Sequence, residues 1–182
     1  RVVGYRNFIT KISNANNFLK LNKCNYKKDL NVKKIKLKIN QWIYAEFEKT
    51  TNLVNKQIHE YRFDEASKVI YNFVWGSYCD WYLEFLKPIF NSSDKKAKDE
   101  AASFSSYMFM NMLKLLHPFI PFLTEYMWQD NKFDKLSKND LITSNWPKPI
   151  KVSNFNKSLN ETESLIEIIK SIRSTKVQLN VP

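Results

Sequence analysis

The sequence predicts an all-α fold: an antiparallel bundle of about four to five helices around a central apolar helix at residues 61 to 90, then an irregular segment and a last helix. Three observations carry this. Gly4 and Gly76 are the only glycines in 182 residues, so turn signals are few. Apolar residues recur at three- and four-residue steps over long segments. In the stretch from 61 to 90, Val69, Ile70, Phe73, Val74, Trp75, Tyr78, Cys79, Trp81, Tyr82, Phe85 and Leu86 fall on every side of a 3.6-residue helix, so other helices are expected to surround it. Asn72, Asp80 and Glu84 interrupt the run and set it apart from a membrane span.

The glycine count also limits function. Phosphate-cradling loops need several glycines in register to bring backbone amides against a nucleotide, which excludes a Rossmann or P-loop site. Cys24 and Cys79 lie far apart and outside any metal-ligand spacing, so they read as ordinary thiols of a reducing, cytoplasmic compartment. No signal-peptide pattern or long apolar run occurs, and the chain begins at Arg1 rather than Met. It therefore reads as a piece of something longer. Charge points to a polyanion. The net charge is +11, and residues 1 to 60 hold 13 Lys/Arg against 4 Asp/Glu, while the remainder holds 16 against 14. The 25 Lys and 20 Asn fit an AT-rich coding bias, which inflates lysine everywhere, so charge alone favours RNA only modestly over a solvated face.

In chain order, residues 1 to 21 form a first helix with Phe8, Ile12, Ala15 and Leu19 facing the core. Asn14 and Phe18 stand one above the other on another face, an amide able to read a base edge beside a ring able to stack on a splayed base. On spacing alone, packing of Phe18 beneath the following loop is the plainer alternative. Residues 22 to 38 carry Lys23, Lys27, Lys28, Lys33, Lys34, Lys36 and Lys38 against Asp29, a loop of phosphate-seeking character. A helix from about 37 to 61 places Ile39, Ile43, Phe47, Val54 and Ile58 on one stripe, with His59 as a surface or capping residue.

The central helix is expected to start at Asp64 as cap, with Glu65 in its first turn, and to stop at Lys87-Pro88. Ser93 or Asp94 caps the next helix, which carries Ala101, Phe104, Met108, Met112 and Leu115 inward to about His117. Pro118 and Pro121 fix a corner where His117 is expected to hydrogen-bond. A short helix follows from 122 to 129 with Glu125 and Trp128. Residues 130 to 160 read as irregular, anchored by Trp146-Pro147. A final helix from 161 to 176 is expected to bury Leu165, Ile168, Ile169 and Ile172.

Four stretches resemble the anticodon-binding helical domain of the valyl-tRNA synthetase family. They are Gly4-Tyr5-Arg6-Asn7-Phe8 with Lys11, Asn14, Ala15 and Phe18; Tyr61-Arg62-Phe63-Asp64-Glu65-Ala66 continuing to Phe73-Val74-Trp75 and Cys79-Asp80-Trp81-Tyr82-Leu83-Glu84; Leu115-Leu116-His117-Pro118-Phe119-Ile120-Pro121-Phe122; and Ile172-Arg173 with Asn180-Val181-Pro182. The resemblance implies an anticodon-binding bundle over residues 1 to 150, with 151 to 182 as linker and start of a junction helix. It implies a grip on the tRNA(Val) anticodon stem-loop through Arg6, Asn7, Lys11, Asn14, Asn17, Phe18, Lys27, Lys28, Lys33 and Lys34. Valine activation with ATP, and editing, would belong to parts of the longer enzyme upstream, with a possible coiled-coil arm downstream. No catalytic residue, metal or cofactor is expected within these residues.

Two positions depart from the family pattern. Ser13 stands where the first helix usually has Trp, and Asn17 where it usually has Arg, so one packing group and one cation are lost. The lysines of the loop offer an electrostatic substitute. The other readings are a related isoleucyl or leucyl ligase, a basic helical interaction module without tRNA specificity, and a small hydrolase using His117 and Glu125, for which no nucleophile stands out. Asp80, Glu84 and Asn72 read as interhelical hydrogen-bond partners rather than an acid/base pair.

Overall fold

The computed structural model describes residues 2–180, and it is all-α, with no strand among the described residues. Helix α1 is Val2–Leu21, and a lysine-bearing loop with one 3-10 turn, Val32–Lys34, leads to α2, Lys38–His59. A long helix then runs from Phe63 to Asn91 in three parts: α3 (Phe63–Asn72), a π-helical segment (Phe73–Tyr82) and α4 (Leu83–Asn91). Helix α5 is Lys95–Leu116, α6 is Pro121–Asp130, the short α7 is Phe133–Ser137, and α8 is Phe155–Gln178. The Val181-Pro182 end of the fourth family-like stretch lies outside the described residues.

The π segment changes the reading of the long helix. In a π turn the backbone closes i to i+5 rather than i to i+4, so each turn takes in more residues than the 3.6 of an α-helix and the buried face shifts along the sequence. Phe73 and Val74 are buried, then Tyr78 and Cys79 five positions later, then Tyr82 and Leu83 at the return to α-helical spacing. The pairs between them, Trp75 with Gly76 and Asp80 with Trp81, are only half-buried. The expected all-round burial is therefore corrected to a two-sided helix whose phase follows the π register. Burial on nearly every side belongs instead to α5 from Ala101 onward. Ser103, Phe104, Ser105, Ser106, Met108, Phe109, Met112, Leu113 and Leu115 are all buried there, the serines admitting neighbouring backbones closely.

Other expectations meet the structure at particular atoms. Phe8, Ile12, Ala15 and Leu19 all face the core. Asp94 caps α5 by accepting from the Ala97 amide, as its side chain and position suggest. Asp64 does not cap α3, because Arg62 holds that position and Asp64 lies inside the first turn beside Glu65. Pro88 does not stop its helix either. It lies within α4, which reaches Asn91, since the neighbouring contacts outweigh one lost backbone hydrogen bond. His117 Nδ1 lies 2.8 Å from Thr124 Oγ1 at the proline corner, and His59 is the exposed last residue of α2. Trp146 Nε1 donates to Asn55 Oδ1 at 2.8 Å and clips the long loop to α2.

Helix α8 is displaced from its expected phase. It starts at Phe155, six residues early, and buries Phe155, Ser158, Thr162 and Ile166 against α2, where Ser158 Oγ donates to Gln41 Oε1 at 2.6 Å. Small polar residues let the two helices approach, and the larger Leu165, Ile168 and Ile172 are left 47–56% exposed. Among the described residues five non-glycine residues take left-handed φ values, Lys23, Tyr61, Lys132, Lys138 and Asn180, whereas neither glycine does.

One buried polar chain crosses the bundle. The Tyr82 hydroxyl donates to Asn40 Oδ1 at 2.9 Å, and Asn40 Nδ2 donates to Glu100 Oε1 at 3.0 Å, so the π segment, α2 and α5 are joined through an amide with no exposure. Both cysteines are inert: burial pushes the Cys24 thiol to about 11 and the Cys79 thiol to about 12.

Two stability tests follow from this packing. Phe104→Ala, at zero exposure, is expected to cost about 3–5 kcal/mol, whereas Trp81→Ala, half-buried under the Arg173 guanidinium, should cost roughly half that or less; denaturant melts compare them. Burial raises the Glu46 pKa, with Lys49 opposing and Glu163 adding to the rise, so the fold favours the neutral acid. That contribution is complete below the ordinary carboxylate range and is lost as pH rises through the raised value. Glu46→Gln should therefore raise the melting temperature at pH 7, and the gain should vanish below about pH 4.

Candidate nucleic-acid interface

Helix α1 is seated by its inward face and gripped along both flanks. Phe8 packs on Tyr71, with ring centroids 4.8 Å apart, and stacks near-parallel to Trp75 at 6.4 Å. Lys11 Nζ pairs with Asp80 Oδ1 at 2.6 Å and lies over the Trp75 ring. On the other flank Lys20 Nζ pairs with Asp130 Oδ1 at 2.5 Å, while Asn16 Nδ2 donates to Asp130 Oδ2 at 3.0 Å and Asn131 Nδ2 donates to Asn16 Oδ1 at 2.7 Å. The hydrogen bond from Lys11 to Asp80 raises the lysine pKa despite partial burial, and the bond from Lys20 holds the Asp130 carboxyl below its usual range.

What remains outward on α1 is a stripe without charge. Asn7, Thr10, Asn14 and Asn17 recur at i, i+3, i+7 and i+10, all exposed, with Arg6 at its edge. Side-chain amides offer two donors and an acceptor pair, the complement of exposed base edges. Phe18 lies on the flank, half-buried and tilted against Phe90 with centroids 5.9 Å apart.

The loop after α1 is fixed by backbone-directed hydrogen bonds. The Cys24 amide donates to Leu19 O, and the Lys27 amide to Ser103 Oγ. Glu100 accepts from the Lys36 amide at 3.0 Å and the Leu37 amide at 2.9 Å, the same carboxylate that closes the Tyr82–Asn40 chain. Fixing the main chain leaves the side chains of Lys27, Lys28, Lys33 and Lys34 outward, and among the described residues none of the four lies in an ion pair. Thus the structure sets Arg6, Asn7, Asn14 and Asn17 on one helical face and the four lysines on the adjoining loop, and ties Lys11 into the fold. Asp80 is the interhelical partner that its place in an apolar run suggested; Glu84 instead pairs with Lys87 on its own helix.

Sequence reasoning missed Thr10, Asn16, Asp130 and Asn131. Asp130 pairs with a lysine 110 positions away, and no local pattern signals that. Among the described residues no group of three His, Cys, Asp or Glu is arranged to hold a metal ion, and no helix is long and apolar enough to cross a membrane.

Fold and surface together define a helical-bundle binding module, with an amide-bearing helix beside a lysine-bearing loop. Residues 40–182 match the family described as the anticodon-binding domain of tRNA ligase, and the chain belongs to that family. It is 49% identical over 183 residues to a valine–tRNA ligase of Pelagibacter ubique (strain HTCC1062), covering 100% of this chain and 20% of that protein. Valine–tRNA ligases of Bartonella quintana (strain Toulouse) and Rhizobium meliloti (strain 1021) are 36% and 38% identical over 183 residues, each covering 100% of this chain and 20% and 19% of the respective protein. The chain spans about a fifth of the length of the curated relatives it matches. The ten candidate contact residues all precede residue 40, outside the family match but inside the span shared with these relatives.

Because Glu100 anchors the loop, Glu100→Ala should free two backbone amides and the Asn40 side chain. Hydrogen exchange at Lys36 and Leu37 is expected to accelerate about 10- to 100-fold, the equivalent of roughly 1.5–3 kcal/mol for hydrogen bonds to a charged group. Unchanged exchange there would mean the loop is held by other contacts.

Proposed function

We propose that this chain is the anticodon-binding part of a valine–tRNA ligase and grips the anticodon stem-loop of tRNA(Val), while other parts of a longer cytoplasmic polypeptide use ATP to join valine to that tRNA. The relatives' shared name supports the valine branch over an isoleucyl or leucyl one. The observation that carries the reading is the exposed amide stripe of α1 beside four lysines outside any ion pair among the described residues. Phosphates are held by Arg6, Lys27, Lys28, Lys33 and Lys34, which position the RNA without reading it. Anticodon bases are single-stranded and splay readily, so Asn7, Asn14 and Asn17 take their edges and Phe18 offers a ring for stacking. Lys11 stands at the border of this surface, with its charge engaged by Asp80. Residues 1 to 150 form the binding bundle, and the exposed second half of α8 leads toward a junction with the rest of the polypeptide.

Titration with anticodon stem-loops at low salt separates the two contributions. Phe18→Ala should remove about 1–3 kcal/mol of stacking and reduce the preference for the valine anticodon. Lys27→Ala and Lys28→Ala should weaken every stem-loop alike, each flattening the slope of log affinity against log salt by about 0.7–0.9. Dissociation constants near the micromolar to 100 micromolar range are expected for the non-specific part. A wild-type protein that binds valine and altered anticodons equally, with Phe18→Ala silent, would mean Phe18 serves packing against Phe90 and recognition lies elsewhere.

A further inference from the structure

The lysines of α1 and those of the loop are treated in opposite ways by the fold. Lys11 and Lys20 are nine positions apart, two and a half turns, and so occupy opposite flanks of the helix. Each is clasped by an aspartate from a distant element, Asp80 of the π segment and Asp130 at the end of α6, at 2.6 Å and 2.5 Å. Between the clasps lies the uncharged stripe of Asn7, Thr10, Asn14 and Asn17. Asp130 has a second fixed partner in Asn16, so its carboxylate is oriented rather than floating. By contrast, Lys27, Lys28, Lys33 and Lys34 have no carboxylate partner among the described residues.

We propose that Asp80 and Asp130 are specificity-determining residues of the RNA-binding face: they hold the flanking lysines of α1 away from phosphate, so that between them the RNA meets hydrogen-bonding amides rather than lysine charge. This rests on the RNA-binding reading given above. The physical reason is that phosphate contacts add affinity for any RNA without adding sequence information. A free lysine on each side of a base-reading stripe would strengthen wrong and right anticodons equally, and specificity is a difference of affinities. Paired on the helix, the lysines still orient α1, and the carboxylates disfavour a misplaced phosphate backbone.

The test uses this chain with two fluorescent RNAs sharing one stem, the first with the valine anticodon and the second with a scrambled loop, titrated between 20 and 200 mM salt, with each fold checked by circular dichroism. Asp80→Asn/Asp130→Asn is expected to bind the scrambled loop roughly tenfold more tightly at low salt, with the salt slope steeper by about 0.7–0.9 per released lysine, and the ratio between the two RNAs should fall. Adding Lys11→Met should cancel the Asp80 share of both changes. With both aspartates in place, Lys11→Met/Lys20→Met should leave the salt slope unchanged, which keeps the idea testable if the aspartate variants unfold. It is overturned if the slope is unchanged on releasing the lysines, or if Lys11→Met/Lys20→Met flattens it. A wild-type protein that does not distinguish the two RNAs sinks the anticodon reading instead, while the slope on the scrambled loop still decides the role of the clasps.

Discussion

Asn40 is the joint on which the geometry of this domain depends. A primary amide at zero exposure has to satisfy both ends or destabilise the core, and here the Tyr82 hydroxyl meets its oxygen and Glu100 meets its nitrogen. Tyr82 reaches it from the end of the π segment, whose wider turns carry the buried face from Phe73 and Val74 to Tyr78 and Cys79 and then to Tyr82. Glu100 in turn also accepts from two loop amides. A register choice inside one helix is thereby transmitted, through three side chains, to the backbone that presents the lysines.

That chain also explains what was legible in the sequence. Phe8, Ile12, Ala15 and Leu19 follow a plain 3.6 period, and all four are buried. Asp94 and the Pro118–Pro121 corner carry their own local chemistry, which acts within one turn of the chain. The π segment had no such signature, since a helix-period reading of Phe73 to Tyr82 sees apolar residues on every side and infers enclosure. In α8 the largest apolar residues do not mark the buried face, because close contact with α2 selects Ser158 and Thr162. On the candidate face, residue types on α1 and the loop were legible from charge and resemblance. Which lysines remain outside ion pairs was not, because Asp80 and Asp130 come from remote parts of the chain.

Charge on this surface is better described by its availability than by its amount. The excess of Lys and Arg before residue 60 counts Lys11, Lys20 and Lys38 equally with Lys27 and Lys28, yet the first three are each within 4 Å of a carboxylate. Exposed pairs such as Lys38 with Glu161 add little to stability, but they change what the solvent-facing field offers to a polyanion. The four loop lysines, held on a pinned main chain, keep both their charge and their side-chain freedom. This suits them to phosphate, a partner whose position varies along the strand.

The left-handed residues give the basic character of the chain a further consequence. At Lys23, Lys132 and Lys138 a lysine occupies a backbone conformation that costs an L-residue about 1–2 kcal/mol relative to glycine, while both glycines of the chain sit in helices where that freedom goes unused. Glycine at those three turns would relax the backbone and remove three positive charges in the same step. Fold stability and attraction for a polyanion are therefore in direct competition at single codons, and a lineage drifting toward either one moves away from the other.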